Sequence, residues 1–199
     1  MRRFIIPLIA FALLACLNKA TLRRRSSPTE AAIALKVAQE LLYEDAAAAE
    51  DSLRSLAVGY PHTQPGEKSR FYLGQALFIQ GRYRKALRQF ARFERSYSVK
   101  QSILRPLALL AQGNCLEEMG RLDDAVKRYL ELPERYPESG IGVDVYFGAA
   151  RCLMLLEEYD RATLIYRMIM EEYPEREYPA IYHKAAGEVG KIDALRNIF

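Results

Sequence analysis

Four tyrosine-led pairs, Tyr60-Pro61, Tyr97-Ser98, Tyr136-Pro137 and Tyr173-Pro174, recur at intervals of 37, 39 and 37 residues. A self-similar period of this length is the mark of a repeat architecture, in which each unit buries its apolar face only against its neighbours. Other positions keep the same beat. Ala49, Ala86, Ala125 and Ala162 each stand 12 residues before the second member of a pair. Leu53, Phe90, Tyr129 and Tyr166 follow those alanines by four, and Gly74, Gly113 and Ala150 precede their alanines by 12.

Each period contains two runs with apolar residues at helical spacing. In the last full period these are Val145, Tyr146, Ala149, Ala150, Leu153 and Met154, then Tyr159, Ala162, Ile165, Tyr166 and Ile169. Short polar turns at Gly81-Arg82, Gly120-Arg121 and Glu157-Glu158 predict antiparallel neighbours. Proline after tyrosine predicts the end of each second helix, because proline disfavours helical geometry in the residue before it. Pro106 is expected near a helix start, and Pro133 is expected to kink the second helix of its repeat near Tyr129. No Asn-Gly or Asp-Gly hairpin signal occurs.

This pattern resembles the tetratricopeptide repeat. Gly113, Leu116, Ala125, Tyr129, Leu132 and Pro137 carry it best, with Tyr146, Ala150, Leu153, Ala162, Tyr166, Ile169 and Pro174 close behind. Leu73, Gly74, Leu77, Ala86 and Phe90 carry it in the second repeat, where Ser98 stands in place of proline. The first repeat is degenerate, with Val37 and Glu40 at the small and large positions of its first helix. The resemblance implies an all-α, right-handed superhelical solenoid of about four helix pairs plus a C-terminal capping helix. The repeats are placed at about 30–66, 67–105, 106–142 and 143–179, with the capping helix at 180–199. That last helix spans Tyr182 to Val189, with Gly187 37 residues after Ala150, and Ile192, Leu195, Ile198 and Phe199 are expected to fold over the end.

The first residues read as an address. Basic Met1-Arg2-Arg3, apolar Phe4 to Ala12 and then Leu13-Leu14-Ala15-Cys16 follow the layout of a secretory signal. Cysteine directly after a small residue is similar to a bacterial lipobox, although Leu14 is larger than that pattern prefers. The resemblance implies a signal segment over 1–15, lipidation of Cys16 and a polar tether over 16–29. The 14 mostly apolar residues from Phe4 to Leu17 fall short of the ~20 that span a bilayer. An uncleaved anchor, an ordinary signal segment or an intracellular chain are the alternatives. Arg23-Arg24-Arg25 can touch anionic headgroups or can be a solvated linker.

The chemistry of catalysis is thin. His62 and His183 are the two histidines, and neither sits in a metal-spacing motif. No phosphate loop, dinucleotide fingerprint or nucleophile elbow occurs. The acid pairs Glu117-Glu118, Asp123-Asp124 and Glu171-Glu172 are sequence neighbours, so their members do not face each other on a helix. No enzyme activity, cofactor or metal is expected. Cys115 and Cys152 hold equivalent places in successive repeats and read as small core residues, since equivalent helices stand too far apart for a disulfide. The net charge of +4, or +2 without Arg2 and Arg3, gives no argument for nucleic acid.

A binding scaffold remains. In the family that the chain resembles, first helices line a concave surface. Carried over, its exposed positions are Phe71, Gln75 and Phe78, then Leu110, Asn114 and Glu117, then Phe147, Arg151 and Met154. An apolar strip with a few polar groups suits an extended segment or a helix of a protein partner. Packing between repeats is the competing reading for Phe71, Leu110 and Phe147. The basic residues of a carboxylate clamp are missing there, and Asn114 alone matches that clamp. Lipobox and repeats together resemble accessory lipoproteins of outer-membrane barrel assembly and, slightly less closely, coordinator proteins of the Tol-Pal system and translocon-associated periplasmic repeat proteins. The expectation is a lipid-anchored adaptor facing the periplasm, more at the outer than the inner membrane. A self-assembling structural protein and an accessory subunit of a cell-envelope enzyme are the alternatives.

Overall fold

The computed structural model describes residues 28–96 and 103–197. The expected signal segment, Cys16, the expected tether up to residue 27, the Tyr97-Ser98 pair, Ile198 and Phe199 lie outside the described residues, while Pro28 and Thr29, expected to end the tether, are already helical. The described residues are helical with no strand, and they form two compact units, 28–96 and 103–197. None of their helices is long and apolar enough to cross a membrane.

The first unit contains α1 (Pro28–Glu44), α2 (Ala46–Gly59), α3 (Gln64–Ile79) and α4 (Tyr83–Arg95). The second contains α5 (Leu104–Glu118), α6 (Leu122–Arg135), a 3₁₀ turn (Pro137–Ser139), α7 (Gly142–Leu155), α8 (Tyr159–Glu172) and α9 (Pro179–Arg196). Within each unit consecutive helices pack on one another, and α1 also touches α3 as α5 touches α7.

The turns within the last three pairs share one device. Arg82, Arg121 and Glu158 donate their backbone N–H to Leu77, Leu116 and Leu153, at 2.8, 2.9 and 2.9 Å. Gly81, Gly120 and Glu157 donate to Phe78, Glu117 and Met154. This pair of hydrogen bonds closes a helix when the donor of the second bond is left-handed. Gly81 and Gly120 sit at φ 71° and 69°, where glycine is unstrained, but Glu157 holds φ 60°. Glu157→Gly is therefore expected to stabilise the second unit by roughly 1 kcal/mol, read as a raised urea midpoint. A lowered midpoint would show that the Glu157 side chain contributes more than its backbone costs.

The tyrosines end the second helices as their prolines require. Tyr60, Tyr136 and Tyr173 are C-caps with ψ of 53°, 59° and 76°, and each donates its N–H back to Leu56, Leu132 or Ile169. Pro106 falls in the first turn of α5, where no N–H is needed. Helix α6 runs through Pro133 to Arg135.

The first repeat corrects its register. Val37 is half-buried and Glu40 exposed, whereas Ala31, Leu35, Ala38 and Leu42 form the buried stripe of α1. Asp45 alone separates α1 from α2, and its carboxylate accepts the N–H groups of Ala47 and Ala48 at 2.9 and 3.0 Å. Because this turn is shorter than the others, the small residue falls at Ala38 rather than at Val37.

The recurrent glycines make room for rings rather than for backbones. A Cβ on Gly74 would lie 2.6 Å from a Phe90 ring carbon, and one on Gly113 would lie 2.4 Å from Tyr129. Gly187 departs from the pattern, since a Cβ there meets nothing within 4 Å. Helix α9 instead buries Ala185 and Ile192 while packing on α8, and Leu195 stays exposed.

Candidate functional site

The nine candidate residues of the first helices divide between the two units. In the first unit Phe71 is only 3% exposed, with ring centroids 5.7 Å from Phe90, 5.5 Å from Phe93 and 5.3 Å from Tyr72. It is a core residue and not part of a partner surface. Equivalence to exposed family positions misplaced it, because α4 carries two phenylalanines that close over it. Gln75 is half-buried with its side-chain oxygen unpaired, and half-buried Phe78 meets the Tyr83 ring edge-on at 5.2 Å.

In the second unit the same positions converge. Glu117 near the end of α5 and Arg151 in the middle of α7 form a two-pronged ion pair, Nε to Oε1 at 2.6 Å and Nη2 to Oε2 at 2.8 Å. Tyr129, on α6, brings its hydroxyl within 2.7 Å of both Glu117 Oε2 and Asn114 Oδ1. A phenol has one hydrogen, and the carboxylate is the stronger acceptor. The Asn114 amide, turned to bring its nitrogen to the hydroxyl, completes the chain of bonds. Leu110 on α5 and Phe147 and Met154 on α7 share these helices, all half-buried.

Tyr129 is the hub, and sequence reasoning counted it only as a repeat marker. Its ring is buried between Gly113 on one side and Gly148 on the other, where an added Cβ would stand 2.4 and 3.0 Å from it. The signal was available: a tyrosine where the preceding repeat has Phe90 brings a hydroxyl that must find a partner when buried. Lys184 was also missed. It lies one period beyond Phe147, and its ammonium sits 4.0 Å above that ring, while Tyr166 flanks the ring at 6.1 Å. Phe147 is thus partly covered by α9.

The electrostatics follow from partial burial. Burial pushes the Glu117 carboxyl upward, but the bonds from Arg151 and Tyr129 outweigh it and hold the group below its ordinary range. Burial and the neighbouring Glu117 carboxylate raise the Tyr129 phenol, so the hydroxyl stays protonated. In the first unit Glu50 is likewise lowered: burial opposes, and hydrogen bonds from Arg54 and Gln80 with the nearby Arg82 charge prevail. Lowered carboxyls contribute stability that is present above about pH 4.5 and lost as pH falls through their folded values. Thermal midpoints are therefore expected to drop as pH falls below that point, with a shallower drop in Glu117→Gln. An equal slope in that variant would remove Glu117 from the account.

Cys115 and Cys152 are fully buried and free, and burial together with Glu118 or Glu117 pushes both thiols up to about 12. Such thiols are poor nucleophiles. His183 lies on the surface 3.3 Å from Glu175, and His62 sits in the α2–α3 loop at φ 64°. Among the described residues no group of three or more His, Cys, Asp and Glu side chains is placed to hold a metal ion. The site offers charge, hydrogen bonds and apolar steps, the means of recognition.

A family model described as the tetratricopeptide repeat matches residues 71–140 and again residues 110–177. No curated protein matches the chain.

Proposed function

The chain belongs to the tetratricopeptide repeat family, and on that premise we propose that it is a non-catalytic docking scaffold of a bacterial cell envelope, tethered by acyl chains on Cys16, that holds a protein segment across the first-helix face of residues 103–197. Repeats of this family serve protein–protein interaction, which supports the coarser part of the reading. The observation that carries the finer part is the Glu117–Arg151 pair braced by Tyr129. Arg151 uses Nε and Nη2 on Glu117, which leaves Nη1 for a partner's carbonyl or carboxylate. A guanidinium already held in place loses little freedom when a ligand arrives. Leu110, Phe147 and Met154 supply apolar steps at helical intervals, as an extended or helical segment requires.

The envelope placement is supported by residue order: Met1-Arg2-Arg3, an apolar stretch, then Leu13-Leu14-Ala15-Cys16. Lipid on one cysteine supplies the several acyl chains that stable attachment needs. The lipobox together with tyrosine-proline repeats favours a role in outer-membrane barrel assembly. Crosslinking in intact bacteria followed by affinity capture tests the partner. Recovery of barrel-assembly components supports the proposal, recovery of the chain alone points to self-assembly, and recovery of a cell-wall enzyme points to an accessory subunit. Cys16→Ser is expected to abolish labelling by a fatty-acid analogue, and a wild-type chain that carries no lipid would refute the tether.

A further inference from the structure

The first unit carries a basic groove on its second helices, away from the positions considered so far. Arg54 of α2, Leu77 of α3 and Lys85, Arg88, Gln89 and Arg92 of α4 line a cavity of about 280 Å³. Lys85, Arg88 and Arg92 are exposed, stand at i, i+3 and i+7, and have no acidic partner among the described residues. Glu94, the one acidic residue of α4, is only 4% exposed. Arg54 is paired with Glu50, but that single carboxylate also serves Arg82. The cluster therefore keeps a net positive charge.

The other repeats act as an internal control. The two residues before the marker alanine are Asp123-Asp124 in α6 and Asp160-Arg161 in α8, whereas in α4 they are Arg84-Lys85. Acidic residues favour a helix's first turn and basic ones oppose it. As in α6 and α8, no side chain caps the N-terminus of α4. In the first turn of α4 this basic charge opposes the helix N-terminus, whereas Arg92 and Arg95 in the last turn suit its C-terminus.

We propose that this groove docks an acidic segment of a protein partner. Arginine-rich walls match carboxylates in a two-pronged geometry. Gln89 also lines the groove, and the exposed cations at 85, 88 and 92 spread along two turns of α4, which suits a segment bearing several carboxylates better than a single phosphate. A lipid surface fits less well, because membrane-lying helices present apolar side chains beside their basic ones. The exposed large apolar residues of the first unit, Ile33, Tyr43, Val58 and Ile79, lie on α1, α2 and α3 and none on α4. This surface does not depend on the first-helix face, and either can fail alone.

The test is fluorescence anisotropy of a labelled, Glu/Asp-rich synthetic peptide with the full chain. Binding is expected to weaken by roughly tenfold or more in Arg88→Glu and in Arg92→Glu, and to weaken with salt. Lys85→Gln is expected to give a smaller loss in the same direction. Arg167→Glu, an exposed charge reversal on α8, is expected to leave binding unchanged. Since Arg88 and Arg92 are exposed, melting curves are expected to stay close to wild type in Arg88→Glu and to fall only slightly in Arg92→Glu, which puts an acid in the last turn of α4. No binding, or an equal loss in Arg167→Glu, overturns the proposal. So does Arg88-dependent binding of phosphatidylglycerol vesicles or inorganic phosphate without peptide binding.

Discussion

Gly66→Ala is expected to cost roughly 3 kcal/mol of stability, one of the largest losses available from a single added carbon. A Cβ at Gly66 would stand 1.9 Å from the Tyr60 carbonyl oxygen and 2.7 Å from its carbon. Both atoms are backbone, so no side chain can turn aside. That carbonyl is also fixed, since it accepts the Thr63 N–H at 3.3 Å and the Thr63 hydroxyl at 2.8 Å. Thr63 in turn caps α3 by accepting the Gly66 N–H at 3.3 Å. Relief requires rebuilding the link between α2 and α3. Gly187→Ala is the control, where an added Cβ meets nothing and helix propensity gains up to ~1 kcal/mol. Urea melts of the pair are expected to move in opposite directions, and a Gly66→Ala midpoint equal to wild type would refute the close approach.

Tyr129→Ala is expected to cost about 3–5 kcal/mol, through the cavity left by a fully buried ring. The informative comparison is Tyr129→Phe. That change keeps the ring between Gly113 and Gly148 and removes only the hydroxyl that joins Asn114 to Glu117. Its expected cost is about 1–3 kcal/mol, because two partners lose a bond where water has little access. Chemical denaturation measures both. If Tyr129→Phe is neutral, the hydroxyl does not brace the ion pair. The preceding repeat already carries Phe90 at this place, opposite Gly74, so the ring alone satisfies the fold and the hydroxyl belongs to the site.

That contrast marks what the chain's order reveals and what it hides. Helix ends were legible at Tyr60, Tyr136 and Tyr173, because proline acts on its immediate neighbour. Tight packing was legible at Ala86, Ala125 and Ala162, all fully buried, because a period reports the same environment each time. The α1 register was not legible, since it hangs on a one-residue turn at Asp45. Nor was the burial of Phe71, which depends on Phe90 and Phe93 from another helix. Asn114, Glu117 and Arg151 were named singly from their equivalence, but the bond between them crosses from one repeat to the next. Tyr129 joins them from a second helix, and Lys184 reaches Phe147 from beyond the last full repeat. A period aligns positions and does not say which of them meet.

The claim that this face receives a protein segment is tested most directly by placing a photo-crosslinking amino acid at Met154 and, separately, at Leu164. Met154 lies on α7 beside Arg151, and Leu164 is 70% exposed on α8, the second helix of the same pair. Irradiation in intact cells is expected to join position 154 to a discrete protein partner and to leave position 164 unjoined. The crosslink is further expected to fade in Arg151→Glu, which removes the donor and repels an acidic ligand. Equal crosslinking at both positions, or none at 154, would contradict the first-helix face as the docking surface.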